Sequence, residues 1–240
     1  TTISTAAFPK LSERLSQGRS DLFRKDFLQI LRAIVWITMP TIVVCYFARA
    51  YFARLIFATG APEISVLFGF LAGAILFRTI YALVSRWFYA QKDTHTPLYV
   101  SLFAIALNIF LAYVLSKPTS YGIAGLAMAQ SIVAGAEVLV LGVIMAIRDH
   151  KLIDKAFISG LIKILSVTGF SVLAAFIMIG LFPLQATDRG FVTLGVKLGL
   201  ITSVTFLVHL GISLIFGLEE ASPVIEKTKR FILKPIKIEF

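Results

Sequence analysis

Six long apolar stretches constrain the fold of this 240-residue chain more than any other feature of its sequence. A helix needs about 20 mostly apolar residues to cross the hydrocarbon core of a bilayer. Apolar residues occur all round each stretch, as expected of helices that contact both lipid and other helices. The sequence therefore predicts an all-α polytopic membrane protein with six transmembrane helices, at residues 27–47, 64–87, 97–116, 122–147, 157–182 and 190–216.

The overall composition excludes several other classes of protein. Hydrophobic residues make up 58% of the chain and charged residues only 15%, with a mean hydropathy of +0.89, whereas a soluble domain is about half apolar and about a quarter charged. The single cysteine, Cys45, excludes an internal disulfide and a thiolate metal site. Because the sequence also has no phosphate-binding loop, dinucleotide glycine motif, nucleophile elbow or zinc helix, we expect no cofactor, no metal and no catalytic residue.

The 23 Lys and Arg residues are distributed asymmetrically between the loops. Fifteen lie before the first span, at the end of span two or between spans two and three, between spans four and five, and after the sixth, whereas four lie in the alternate loops. Because loops rich in Lys and Arg stay in the cytoplasm, this distribution predicts that both chain ends are cytoplasmic. The net charge of +10 is then an orientation signal, and we expect no nucleic-acid partner.

The first residues of the chain read as the end of a helix that began upstream. The chain starts without Met, and residues 1–9 carry no charge. We therefore expect the chain to be the C-terminal portion of a larger membrane protein. In that interpretation, residues 1–26 are the end of a preceding helix and a cytoplasmic loop, residues 148–156 are a cytoplasmic linker, and residues 217–240 are a basic cytoplasmic tail.

Three polar residues lie deep inside the predicted spans: Arg78 in the second, Asn108 in the third and Glu137 in the fourth. Counting from the cytoplasmic ends of the spans at 1.5 Å per residue places all three at a depth of roughly 14–17 Å. Ionisable residues at such depths face a bundle interior or a wet cavity, because lipid contact is costly for them. The equal depths permit an Arg78–Glu137 ion pair with Asn108 nearby. The pair would either belong to a polar cavity that binds a charged substrate or coupling ion, or lock two helices together.

Other polar or small residues in the spans have simpler interpretations. Gln130 lies nearer the outer side, where we expect an interhelical hydrogen bond, with a role in the cavity as the alternative. Lys163 and Lys197 lie within two turns of their helix ends, so that their long side chains can reach the interface. We interpret His209 as a packed or interfacial residue rather than a proton relay. Small residues around Gly125 predict that the fourth span packs tightly in the bundle.

Three short motifs resemble the MurJ/MviN lipid II flippase family. The signature FYA-x-x-D-x-x-TP is matched by Phe88, Tyr89, Asp93, Thr96 and Pro97. Residues 3–12 are similar to the end of the family's helix eight, T-x-x-x-P-x-LS, and residues 121–131 to the start of its helix twelve, G-x-x-GLALA-x-S. The motifs occur in the family's order and approximate spacing, so the resemblance covers the family's helices nine to fourteen and the end of helix eight.

The resemblance implies a fold of the MOP exporter superfamily, with two six-helix lobes around a central cavity and two extra C-terminal helices. Residues 27–147 would be four helices of the second lobe, and residues 157–216 the extra pair, which in the family forms a groove for the lipid tail. The five signature residues would have a structural or gating role. Asn108 is similar to an asparagine of the sodium site in some members, but Ala112 and Gln130 differ from that pattern, so we expect no sodium site of that design.

The implied function is a flippase that translocates undecaprenyl-linked peptidoglycan precursor, lipid II, across the bacterial inner membrane by alternating access, and that is not an enzyme. Its partners would be this lipid-linked precursor, membrane lipids and the missing N-terminal lobe of the same protein. The alternatives are a related exporter of oligosaccharide-lipids or drugs, and a membrane-embedded glycosyltransferase or scaffold. Such an enzyme would need loop carboxylates, for which Asp93 with His95 is the candidate. We instead expect capping chemistry there, with Thr96 as N-cap and Pro97 at the first helical position.

Overall fold

The computed structural model describes residues 13–57, 61–117, 119–185, 187–188 and 190–222. Within these ranges, a helical turn at residues 13–16 precedes seven α-helices and a 3₁₀ turn, and there is no β-strand. The elements are α1 (Ser20–Phe47), α2 (Arg49–Phe57), α3 (Ala61–Ala90), α4 (His95–Leu115), α5 (Ile123–Arg148), α6 (Lys155–Leu181), α7 (Phe191–Ile215) and the 3₁₀ turn Glu219–Ala221. The motif at residues 3–12 and most of the predicted basic tail lie outside the described residues.

Six of these helices, all except α2, are long and apolar enough to cross a membrane. This finding confirms the six predicted spans. The largest difference is at the start of α1, which begins at Ser20 rather than at residue 27, because the polar segment before the apolar stretch continues the helix. The sequence analysis did not predict α2, whose nine residues are too few to cross a bilayer.

Helix α1 is the central element of the bundle, and two groups of helices pack against it. In the first group, α3 contacts α1 and α5, and α4 contacts α5. In the second group, α6 contacts α1 and pairs with α7. Buried side chains join α1 to its neighbours, among them Phe27, Trp87 and Ile164, which are at most 1% exposed. Burial of such large apolar surfaces fixes the positions of the polar side chains that the helices carry.

Helix α5 approaches α4 very closely near its N-terminus. A Cβ atom on Gly125 would overlap the backbone carbonyl of Leu115, so a larger residue has no space there. Farther along α5, Ala129 and Ala134 are also buried. These contacts confirm the prediction of tight packing around Gly125, and they bring the polar side chains of α4 and α5 within hydrogen-bonding distance of each other.

Side-chain contacts join the helices at both ends of the bundle. At the predicted cytoplasmic end, Arg24 Nε of α1 lies 2.6 Å from Asp149 Oδ2, which directly follows α5. At the predicted outer end, the Tyr51 hydroxyl of α2 donates to the Phe182 carbonyl directly after α6, at 2.5 Å. Helix α2 therefore fastens the end of α1 to the connection between α6 and α7.

Candidate functional site

Arg78 of α3 and Glu137 of α5 form an ion pair in the middle of the bundle, as the sequence analysis permitted. Arg78 Nη1 lies 3.5 Å from Glu137 Oε2. The two side chains differ strongly in exposure, at 47% for Arg78 and 3% for Glu137. The Glu137 side chain is thus enclosed by the helices, whereas about half of the Arg78 side chain surface is exposed.

Two hydroxyl groups extend this pair into a network across α3, α4 and α5. The Ser101 hydroxyl of α4 donates to Glu137 Oε1 at 2.9 Å. The Tyr81 hydroxyl of α3 lies 2.6 Å from Ser101 Oγ. Sequence reasoning did not single out either residue, although Tyr81 follows Arg78 by three residues and so shares its helix face. The network satisfies the buried carboxylate with a cation and a hydrogen-bond donor.

Asn108 of α4 does not contact this pair and instead bonds to Gln130 of α5. The Asn108 amide donates to Gln130 Oε1 at 2.6 Å, which confirms the expected interhelical hydrogen bond of Gln130. The equal depths permitted Asn108 to lie near the ion pair, but the structure places it elsewhere, because the start of α4 and the end of α5 are not at the same level. Glu137 faces Ser101, seven residues and about 10 Å before Asn108 along α4.

An open cavity of about 500 Å³ adjoins both polar pairs. Its walls come from α1, α2, α3 and α5, and they are apolar except for Cys45, Arg78 and Gln130. A largely apolar cavity with a few polar groups is the usual form of a ligand site. The guanidinium and the amide are the groups there that can bind an anionic or hydrogen-bonding ligand.

The signature residues at the predicted cytoplasmic end form a helix–turn–helix junction. At the end of α3, the Asp93 N–H donates a hydrogen bond to the Phe88 carbonyl at 3.0 Å. The Lys92 N–H donates another to the Tyr89 carbonyl, also at 3.0 Å. Lys92 has a φ of 62°. These bonds form a Schellman motif, which ends the helix and reverses the chain.

The capping prediction for this junction is wrong in its choice of residue. Helix α4 begins at His95, and Thr96 is inside it. Asp93 supplies the cap, because its carboxylate accepts from the Thr96 N–H at 3.0 Å and from the Thr96 hydroxyl at 2.6 Å. Pro97, predicted at the first helical position, is the third residue of α4 and remains in the first turn, where an N–H has no intrahelical partner.

Arg148, the last residue of α5, binds this junction, and sequence reasoning did not single it out. Its Nη1 lies 2.5 Å from Asp93 Oδ2, and its Nη2 donates to Thr96 Oγ1 at 2.9 Å. Its guanidinium also lies over the Phe88 ring, 5.3 Å from the centroid. The pKa of the Asp93 carboxyl lies well below its usual range. The main cause is the pair of hydrogen bonds from the Thr96 hydroxyl and N–H, and the Arg148 guanidinium makes a smaller contribution.

The remaining polar residues of the spans lie away from the cavity. Lys197 Nζ donates to Asp188 Oδ2 at 2.6 Å beyond the start of α7, and this bond lowers the pKa of the Asp188 carboxyl. Its side chain therefore reaches the helix end, as expected. His209 is 2% exposed, and its Nδ1 lies 2.8 Å from the Ser171 hydroxyl, which agrees with a packed residue. Lys163 is exposed on α6.

Potential metal ligands do not cluster anywhere in the described part of the chain. No group of three or more His, Cys, Asp or Glu side chains there could hold a metal ion. The predicted functional residues contact one another in two places in the described part of the chain. One is the pairs Arg78–Glu137 and Asn108–Gln130 beside the cavity, and the other is the junction around Asp93.

Comparisons with known proteins agree with this fold. The described helices are similar to a solved structure, lipid II flippase MurJ in an inward closed conformation, with a TM-score of 0.68 and 21% sequence identity. The match covers 89% of this chain and 42% of the solved chain, so this chain spans less than half the length of that protein. No curated protein sequence matches the chain. The family model for lipid II flippase MurJ matches residues 1–199, and the chain belongs to this family.

Proposed function

We propose that the chain is the second part of a flippase that translocates lipid II across the bacterial inner membrane by alternating access. Its family membership supports this function. The assignment of the site rests on Arg78, whose side chain is half exposed and lines a cavity of about 500 Å³ in the middle of a span. Arginine is costly at such a position, and it marks substrate or ion pathways in membrane proteins.

The proposed layout follows the packing of the helices. Residues 27–147 contain the four membrane-spanning helices of the second lobe together with the short α2, and residues 157–216 are the additional pair that forms a groove for the lipid tail. The contacts of α6 with α7 and α1 support this division. Residues 1–26 and 148–156 are cytoplasmic, as are residues 217–240, and the asymmetric distribution of bases supports this orientation. A first lobe upstream of residue 1 completes the cavity.

In the proposed mechanism, the two lobes rock about a site near the bilayer midplane. The headgroup of the lipid passes through the polar cavity, where Arg78, Gln130 and Asn108 offer hydrogen bonds, while the tail stays in the surrounding lipid. Phe88, Tyr89, Asp93, Thr96 and Pro97 form the junction between α3 and α4, which positions the cytoplasmic ends of the two helices. A membrane potential or an ion gradient drives the cycle, and each charge moved through 100 mV contributes about 2.3 kcal/mol.

The alternative functions have weaker support. An exporter of other lipid-linked oligosaccharides or drugs would use the same architecture, but the matched family is that of lipid II flippases. An enzymatic function would need a reactive loop carboxylate, and the Asp93 carboxylate is already bonded to Thr96 and Arg148. We therefore propose a transporter that is not an enzyme.

Genetic complementation tests the function. The full-length protein is expressed in bacteria depleted of their own lipid II flippase, and growth and cell shape are recorded. We expect rescue by the wild type and loss of rescue by Arg78→Ala. Thr79→Val is the matched control, because Thr79 directly follows Arg78 on the same helix, is only partly exposed, and its hydroxyl donates to the Ile75 carbonyl one turn away. Failure of the wild type to rescue, at a normal amount in the membrane, would contradict the proposed function.

A further inference from the structure

The two members of the Arg78–Glu137 pair differ strongly in exposure, and the contact between them is long. Both features make it easier for another anion to replace Glu137 as the partner of Arg78. Glu137 is 3% exposed and Arg78 47% exposed, and the contact between them is 3.5 Å long. Strong charge-assisted hydrogen bonds between a guanidinium and a carboxylate are about 2.7–2.9 Å long. A guanidinium has five N–H donors, and Arg78 lines the cavity. An anion in the cavity can therefore compete with Glu137 for Arg78.

The hydroxyl groups beside Glu137 suit both of its protonation states. The ionised carboxylate accepts a hydrogen bond from Ser101. A protonated Glu137 would donate to Ser101 Oγ instead, and Ser101 would then donate to the Tyr81 oxygen, which is 2.6 Å away. Hydroxyl groups can reverse direction in this way because each is both a donor and an acceptor. The enclosed carboxyl group would then keep a hydrogen bond after losing its cation.

We propose that Arg78 and Glu137 form a proton-linked anion site, in which the pyrophosphate group of the lipid substrate displaces Glu137 from Arg78 and Glu137 takes up one proton. This inference rests on the proposed flippase function. The proton comes from water in the cavity and binds to a carboxylate oxygen, and no covalent bond of the substrate changes. An ionised carboxylate that is enclosed and has lost its cation is strongly disfavoured, and protonation removes that penalty. Release of the substrate returns the proton and restores the ion pair.

The other ionisable groups near this site do not account for such a proton. The elements that pack against α5 are α3 and α4, and Arg78, Tyr81 and Ser101 are their polar groups that face Glu137. Arg86 and Arg148 lie eight and eleven residues along their helices from Arg78 and Glu137, which is about 12 and 16 Å.

Five further groups on these helices are ionisable but lie elsewhere. Glu63 is exposed in the first turn of α3, and Tyr89 is 42% exposed at the other end of that helix. His95 begins α4, and Tyr99 is 66% exposed and Tyr113 68% exposed on the outer face of that helix. Glu137 is therefore the acid whose protonation responds to the loss of Arg78.

Calorimetry on the full-length flippase in detergent tests this inference. Binding of solubilised lipid II is measured in two buffers that differ in ionisation enthalpy, which gives the number of protons taken up. A pyrophosphate diester has no group that titrates near neutral pH, so the group that binds Arg78 contributes no proton itself. The variants are Glu137→Gln and Arg78→Gln, with Thr79→Val as the matched control on α3 and thermal unfolding as the check of folding.

We expect the wild type and Thr79→Val to take up about one proton per lipid and to bind about tenfold more weakly for each pH unit of increase above neutrality. Glu137→Gln should bind at least as tightly, with no proton uptake and no pH dependence, and Arg78→Gln should bind at least tenfold more weakly. Wild-type binding without proton uptake, or uptake that Glu137→Gln retains, would overturn the proton-linked site and leave the flippase function standing. Absence of both lipid II binding and complementation would overturn the flippase function as well.

Discussion

Loss of the Glu220 carboxylate should destabilise the protein more than loss of any exposed charge. Glu220 lies in the 3₁₀ turn after α7, and its Oε1 is 2.5 Å from Arg32 Nε of α1. The two side chains are 3% and 16% exposed. Arg32 also packs directly on Gly160 of α6, where a Cβ atom would collide with the guanidinium. The pair therefore fastens the segment after the last span to α1 and α6.

The magnitude of the effect follows from this burial. Glu220→Gln keeps the shape of the side chain but leaves the Arg32 charge without its partner. Removing one member of a buried ion pair costs about 3–5 kcal/mol, and the partial exposure of Arg32 places this pair near the lower value, at about 3 kcal/mol. Asp21→Asn is the matched control, because Asp21 forms an ion pair with Arg24 of the same helix and is 94% exposed. Such a surface pair contributes at most about 1 kcal/mol.

The assay is equilibrium unfolding of the full-length protein in mixed detergent micelles. We expect Glu220→Gln to lower the free energy of unfolding by about 3 kcal/mol, and the double variant Arg32→Met, Glu220→Met to recover most of that loss, because apolar residues of similar volume often replace a buried pair without cost. The reasoning is refuted if Glu220→Gln costs no more than Asp21→Asn, or if the double variant is less stable than Glu220→Gln.

Two further predictions concern helix packing and the junction at the predicted cytoplasmic end. Gly125→Ala should lower the free energy of unfolding by about 1–3 kcal/mol through overpacking. Gly142→Ala on the same helix should leave it unchanged, because a Cβ there meets nothing within 4 Å. Equal effects of the two substitutions in unfolding titrations would contradict this prediction. Arg148→Gln should raise the pKa of the Asp93 carboxyl toward its usual value. A depressed pKa stabilises the fold above the unfolded pKa of about 3.9 and loses that effect as pH falls through the folded value. As pH falls from about 6 to about 2, the variant should therefore lose less stability than the wild type, because its folded and unfolded pKa values lie closer together. Identical profiles over this range would argue against the role of Arg148.

The number and positions of the spans could be predicted from the sequence because length and hydropathy determine them. The prediction did not include residues 20–26 in the first helix, because those residues are mostly polar and the span was placed by its apolar residues alone. Helix α2 was missed for a similar reason: Arg49 and Arg54 lie within a helix that is shorter than a span.

The partners of the buried polar residues were harder to predict. Depth counted from predicted helix ends permitted a pair of Glu137 with Arg78, which the structure contains, and Asn108 nearby, where the structure instead has Ser101. A helix pair can shift along its common axis without changing either hydropathy profile, so the register of α4 against α5 depends on packing. The position of Arg148 at the junction likewise depends on tertiary contacts that no local motif specifies.

Transport of fluorescent lipid II by the full-length protein in proteoliposomes tests the central claim most directly, because it separates a role of Arg78 in the cavity from a role in holding the helices together. Wild type and Arg78→Gln are compared for the translocation rate and for the midpoint of thermal unfolding. We predict that Arg78→Gln lowers the rate at least tenfold and by more than its loss of folded protein accounts for, since the half-exposed Arg78 side chain lines the cavity while the enclosed Glu137 loses its cation. An unchanged rate, or a loss of rate that accompanies an equal loss of folded protein, would contradict the assignment of Arg78 to the transport site.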